Sequence, residues 1–426
     1  MSRLDLSIEL PGSALDDRVK QIELRGSWRN RRIGITALVS LLSRGTNLIV
    51  VFISIPLTLH YLGPELFGAW AALTSIVTMA SFADMGISNG LVNVLAEAFG
   101  RNSREAARRA VASGIVMLTV LGVAIGALFF GVVAWTVNWA TVVSATPAEA
   151  DQLRATALVL AACFLLSLPL NASQRVNIAY QDGFIAAAWA IVGMLLSLLG
   201  LVVAIHADAG VVGVTAAMAG GPVAAAAANS IHSFWYRYPW LRPRRGDFAV
   251  RTATILCRLG GLFFVLQMAF SFAYSADNVI VARVLGANAV AQYAIPAKLF
   301  GLVLLVVGAI AAPLWPAYAE ASARGDFEWV RKTLVRSLAC TGAFACAVAV
   351  PLFIFGESII QRWVGHDIHP SRSLLLGCAV WAVLGSIGTT IAMLLNGLSV
   401  IRDQVVIALT MAAANVGLSV WLTGRI

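Results

Sequence analysis

Apolar runs, separated by short polar gaps, follow one another along almost the whole chain. A bilayer's hydrocarbon core takes about 20 apolar residues in helical form. On that measure eleven spans are predicted, at 34–59, 67–96, 110–136, 153–174, 184–205, 211–231, 254–284, 289–318, 334–356, 373–397 and 404–423. The gaps between them leave no room for a sizeable extramembrane domain. The pattern predicts an all-α polytopic membrane protein with four parts: a polar N-terminal tail (1–32), a first transmembrane bundle (33–231), a basic linker (232–253) and a second bundle (254–426).

The two bundles show signs of an internal repeat. EAFGRNSREAARR from Glu97 aligns with EASARGDFEWVRK from Glu320, a shift of 223 residues, and the same shift carries Leu62 and Gly63 onto Leu285 and Gly286. Leu170 and Asn171 relate to Leu395 and Asn396 at a shift of 225. Repeats in the same orientation imply six spans per half, a transporter architecture. The second half shows five spans, so a twelfth is expected beyond the eleven.

Composition sharpens the reading. Only 12% of residues are charged and mean hydropathy is +0.84, so lipid is the main solvent. The net charge is +9. Its placement excludes a nucleic-acid role, because Lys and Arg gather in alternate short loops instead of interleaving with aromatics. Arg101, Arg104, Arg108 and Arg109, then Arg237 to Arg251, then Arg324 to Arg336, then Arg402 fall on one side, with Arg154, Arg362 and Arg372 on the other. The positive-inside rule makes the first side and the N-terminus cytoplasmic. The tail lacks the apolar stretch of a cleaved signal peptide. Five cysteines in apolar runs read as fillers, and His366 and His369 with Asp367 read as a solvated loop; no metal or other cofactor is expected. No GxxxxGK[ST] motif supports ATP hydrolysis.

Ionisable residues inside the spans carry the functional signal, since each costs roughly 3 kcal/mol in hydrocarbon and tends to face a partner or an aqueous cavity. Arg44 and Asp84 fall at matching depths in spans one and two, roughly 15 to 18 Å from the cytoplasmic ends at helical rise. Asp277 and Lys298 pair similarly in spans seven and eight, with Arg258 nearer the cytoplasmic mouth. Asn89 and Asn93, four apart, project from one helix face beside Gly86 and Gly90. One reading makes Arg44–Asp84 and Asp277–Lys298 structural ion pairs. The other has Arg44, Arg258 and Lys298 attract an anionic substrate while Asp84 or Asp277 titrates or binds a coupling cation, H+ or Na+.

YLGPELFGAWAALTSI from Tyr61 and SFADMGISNGLVN from Ser81 resemble the first helix pair of bacterial polysaccharide transporters. That group is the O-antigen flippase branch of the superfamily containing MATE exporters. SADNVIVARVLGANAVAQYAIPAKL from Ser275 is similar to the family's seventh and eighth helices. The resemblance implies that an undecaprenyl-diphosphate-linked oligosaccharide is moved across the bacterial inner membrane by alternating opening of two bundles, for surface polysaccharide synthesis. It further implies membrane lipids and the polysaccharide polymerase machinery as partners, cations at Arg44, Arg258 and Lys298 for the diphosphate, and Asn89, Asn93 and Asn171 as ligands for sugar hydroxyls. A cation-coupled multidrug exporter is the alternative within the superfamily. A membrane polymerase or ligase is the enzymatic alternative, disfavoured by the short loops at 137–152 and 357–372.

Overall fold

The computed structural model describes residues 12–137, 150–285, 287–364 and 370–423, and every regular element among them is helical. The first group of helices is α1 (Gly12–Met79), α2 (Ile87–Gly100), α3 (Arg104–Leu128), α4 (Ala150–Leu170), α5 (Ala172–Ala179), α6 (Gly183–His206) and α7 (Gly210–Ile231). A strap over 232–249 leads to the second group: α8 (Val250–Leu285), α9 (Ala287–Ala311), α10 (Leu314–Ala323), α11 (Phe327–Val364), α12 (Arg372–Gly397) and α13 (Ile401–Thr423).

Among the described residues, ten helical stretches are long and apolar enough to cross a membrane. The sequence pattern predicts eleven. The difference lies in α1, whose stretch Gly26–Ser75 is 50 residues long, about twice one crossing. Gly63 interrupts it with φ 76° and ψ 165°, a conformation reserved for glycine, so the first two expected spans meet at this bend. Large apolar side chains project outward from the helices; Phe52 is 83% exposed and Val203 66% exposed. Such surfaces are stable only against hydrocarbon.

Local chemistry sets the breaks. Asp84 Oδ1 accepts from the Gly86 backbone N–H at 2.9 Å, closing a short turn that ends the 3₁₀ segment Ala80–Asp84 before α2 begins. Ser103 caps α3 and Ser371 caps α12 through their hydroxyl oxygens. Pro313 follows α9, and Pro169 immediately precedes the turn at Asn171 between α4 and α5.

Each group packs mainly on itself. One end of the assembly holds the turns at 101–103, 180–182, 324–326 and 398–400 and the strap, and is called here the basic end. Two features there differ from expectation. The polar tail is not a free arm, because residues from Gly12 onward continue α1 and Arg29 is almost fully buried. The linker is folded as well: Arg237 and Tyr238 hold Asp182, and Arg108 holds Asp247 through two hydrogen bonds. Burial pushes the Tyr238 phenol up from its usual range, which keeps it a donor to Asp182. Polar residues that scan as loop therefore become structure by neutralising one another.

Gly86 marks a close approach of backbones between the groups. It has φ +71°, and a Cβ there would lie 2.2 Å from the Gly260 carbonyl oxygen and 2.9 Å from the Phe264 nitrogen. Gly86→Ala is expected to destabilise the protein by about 2 kcal/mol, from lost left-handed backbone and backbone overlap together. Gly342→Ala meets open space within an ordinary helix and should be neutral. Apparent melting temperatures of the two variants in one detergent check the contrast.

Candidate functional site

A layer of contacts at the basic end joins the two groups. Its charged part is built on Arg29 of α1, which is 2% exposed. One guanidinium nitrogen donates to Glu320 Oε2 at 3.2 Å, another pairs with Asp326, and the plane lies 4.3 Å from the Trp329 ring centre. Glu320, 4% exposed, also pairs with Arg324 of its own helix and accepts from Gln181 Nε2 at 3.4 Å. Arg324 in turn donates to the Phe99 carbonyl at 3.3 Å. Two guanidinium groups face two carboxylates, so the cluster is neutral. That neutrality makes its burial tolerable, since a lone charge here would be severely penalised.

The polar part is built on Asn93 of α2. Its amide nitrogen donates to the Asn396 carbonyl at 2.8 Å and to Ser399 Oγ at 3.2 Å, while its oxygen accepts from Trp315 Nε1. Trp315 stacks on Phe263 with ring centres 5.4 Å apart, and Gln404 Nε2 donates to Asn396 Oδ1 at 3.1 Å. Small residues let the backbones meet: a Cβ at Gly100 would touch Ala323 at 2.5 Å. Those two positions are separated by the same 223 residues as Glu97 and Glu320. Among the described residues, the hydrogen bonds, ion pairs and ring contacts joining the two groups lie toward this end.

Beyond the layer sits a second centre. Asp84 is partly exposed and Met85 is 50% exposed, so open space adjoins the turn that seats Gly86 on Gly260. The Asp84 carboxylate attracts Arg175 of α5. Arg175 is half-buried and its Nε, shielded from solvent, has no hydrogen-bond partner. Asn171 lies one helical turn earlier, its carbonyl accepting from the Arg175 N–H. A guanidinium with unused donors, attracted by a carboxylate but not paired with it, is suited to a multiply charged oxyanion.

The sequence-nominated residues distribute unevenly around these centres. Asp84, Asn89 and Asn171 are partly exposed, and Asn93 is fully engaged within the sealing layer. Arg44, Arg258 and Lys298 have exposed side chains. Among the described residues Asp84 forms an ion pair with neither Arg44 nor Arg175, and of the two it is Arg175 that feels its charge. The side chain of Asp277, and the loop holding His366 and His369, lie outside the described residues. Three residues central to the geometry were not singled out by their pattern. Arg29 sat in a polar tail, Glu320 in an apparent loop, and Arg175 one residue past the expected end of span four at 174. An arginine directly after a Pro- and Asn-interrupted apolar run was the available signal for the last.

Residues 61–371 match the family described as polysaccharide biosynthesis protein, nearly three quarters of the chain. The chain belongs to that family. A Salmonella typhimurium protein named "Putative O-antigen transporter" is 23% identical over 360 residues, covering 82% of this chain and 80% of its own. A "Putative O-antigen export protein" of Yersinia pseudotuberculosis is 24% identical over 152 residues, 35% of each chain. The fold is that of MATE transporters. An outward-facing multidrug resistance MATE transporter of the MOP superfamily superposes with a TM-score of 0.74 at 15% identity, over 93% of this chain and 92% of that one. A MATE protein in the bent conformation gives 0.77 at 14% identity, over 95% and 94%. The resemblance drawn from the Tyr61, Ser81 and Ser275 segments is borne out, and this polysaccharide biosynthesis family member is an all-helical polytopic membrane protein.

Removing one side of the buried charge cluster tests its weight. Arg29→Ala leaves Glu320 and Asp326 with a single guanidinium and is expected to cost about 3 kcal/mol or more. The exposed i,i+4 pair Lys332–Glu328 provides the control, because Lys332→Ala should be nearly silent. Thermal unfolding of purified protein reads both.

Proposed function

We propose that this protein is an O-antigen transporter that flips an undecaprenyl-diphosphate-linked oligosaccharide across the bacterial inner membrane, with its N-terminus and basic end cytoplasmic. The observation that carries the reading is Arg175, a guanidinium on α5 with unused donors and a shielded Nε that no protein group accepts from. It belongs to a chain similar over four fifths of its length to a protein named as an O-antigen transporter. The substrate's diphosphate is a compact, multiply charged oxyanion, and Arg175 supplies the planar donor set that such a group requires. Arg44, Arg258 and Lys298 then serve as further cationic positions along the path, with Asn89 and Asn171 offering amides to sugar hydroxyls. Asp84, and Asp277 in the second group, are the carboxylates available to a coupling H+ or Na+.

Transport follows from geometry. The helices of 33–231 and of 254–426 act as two bundles, and the Arg29–Glu320–Asp326 cluster with the Asn93–Asn396–Trp315 network closes the cytoplasmic end. Substrate reaches Arg175 from the cytoplasm when these contacts part, and leaves toward the periplasm when they re-form. Charged and amide contacts suit this role because water can substitute for each partner as the layer opens, so neither state buries an orphaned charge. No covalent chemistry is required of the protein.

Deleting the gene should cause lipid-linked oligosaccharide to accumulate on the cytoplasmic face. The intact protein should relieve this, while Arg175→Ala should reduce export by about tenfold or more, the loss of one charge-assisted contact to the substrate. Arg175→Lys should recover part of it, keeping charge without the bidentate fork. Normal export with altered drug sensitivity would instead indicate a multidrug exporter. Alternation has its own test. With the native cysteines replaced, a Gly90→Cys/Leu259→Cys pair, whose Cβ atoms would lie 3.3 Å apart across the two groups, should block export when oxidised and restore it on reduction. Undiminished export by the cross-linked protein rules out separation of the two groups at this contact.

A further inference from the structure

A cavity of about 260 Å³ lies apart from the Arg175–Asp84 centre and borders the charged layer at Gln181, where α1, α5 and α6 of the first group meet the start of α10. Its polar wall is Arg32, Thr36, Ser40, Gln174 and Gln181. Arg32, Thr36 and Ser40 recur every four residues and so form one stripe along α1. The opposite wall is apolar, formed by Ala186, Ala187 and Ala190 of α6, and it is closed by Pro313 and Pro316 of the second group. None of these residues takes part in the reading of the Arg175–Asp84 centre.

Three features of the cavity specify an occupant. First, Arg32 and Arg237 both pair with the one carboxylate of Asp182, so this cluster carries an excess positive charge, and the Arg32 side chain remains 20% exposed. Second, α6 begins at Gly183, on the cavity wall, with no side-chain cap; the Ile185 N–H donates to the Asp182 carbonyl at 2.8 Å, which leaves those of Gly183 and Phe184 for an outside acceptor. Third, Gln181 is 4% exposed, and its Oε1 is buried without a hydrogen-bond partner. The orientation of that amide is fixed, because Nε2 donates to Glu320 Oε2 and a carboxylate can only accept. The cavity therefore asks for an anion at the Arg32 side and a donor at Gln181.

We infer that this cavity binds a glycerophospholipid of the leaflet at the basic end, its phosphate on Arg32 and the α6 N-terminus and a head-group hydroxyl or ammonium donating to Gln181 Oε1. The level is right for a head group, since Arg32 directly precedes the apolar run that begins at 34. The alanine face of α6 runs from there into the hydrocarbon and takes the glycerol and the first methylenes of a chain. The bound lipid touches both groups of helices and the Gln181 side chain that holds Glu320, so it favours the arrangement in which the basic end is closed.

Full-length protein stripped of lipid in detergent tests this directly. Dihexanoyl-phosphatidylglycerol, which carries phosphate and hydroxyls on short chains, should bind saturably and raise the apparent melting temperature. Gln181→Leu should weaken its binding about tenfold, the loss of one buried hydrogen bond and its donor's desolvation. Ala187→Trp, which fills the cavity from its apolar wall and removes no polar group, should abolish the shift while helical content and elution volume stay those of the parent. Inorganic phosphate and glycerol 3-phosphate should give no comparable shift, and equal binding of either would overturn the lipid assignment. Wild-type affinity in both variants would overturn the site. Each readout is binding, so the result stands apart from whether oligosaccharide export is the activity.

Discussion

In hydrocarbon an apolar helix face gains little by meeting another apolar face, because lipid chains solvate both equally well. The two groups of helices are therefore held together by what lipid cannot supply: close backbone contact and polar partners. Gly86 and Gly90 on Gly260 and Gly100 on Ala323 provide the first. The Arg29–Glu320–Asp326–Arg324 cluster and the Asn93–Asn396–Ser399–Trp315 network provide the second. The placement of these contacts toward one end decides where the assembly is closed.

Contacts of this kind are also reversible at low cost. A dry apolar seal would resist wetting, while carboxylates, guanidinium groups and amides exchange a protein partner for water with a small net change. A buried, neutral charge cluster is thus poor evidence for great stability and good evidence for a contact with two states. The same logic separates Asn93 from Arg175. Asn93 has every side-chain polar atom used in the closed arrangement, whereas Arg175 keeps donors in reserve.

The lipid surroundings and the protein interior also interact through the cavity at Arg32. Two arginines on Asp182, the uncapped start of α6 and the idle oxygen of Gln181 form a site at head-group depth, next to the contacts that close the basic end. The bilayer thereby acts as a ligand as well as a solvent.

By itself the sequence determined the class of fold, the approximate spans, the side on which the basic loops gather and the resemblance to polysaccharide transporters. These follow from local properties: run length, charge placement and short motifs. The bend at Gly63 was also local, a LeuGlyPro punctuation within a long apolar stretch, yet only φ/ψ showed that one helical stretch carries two crossings. Which polar residues meet was decided by tertiary structure alone. Arg44 matched Asp84 in depth, but depth says nothing of the angle around a helix, and the Asp84 carboxylate is used instead on the Gly86 N–H of its own turn. Arg29 and Glu320 are 291 residues apart, each within a polar stretch that reads as solvated until the other is brought against it. A charge is buried or exposed according to its partners, and partners distant in the chain are set by the packing of the whole bundle.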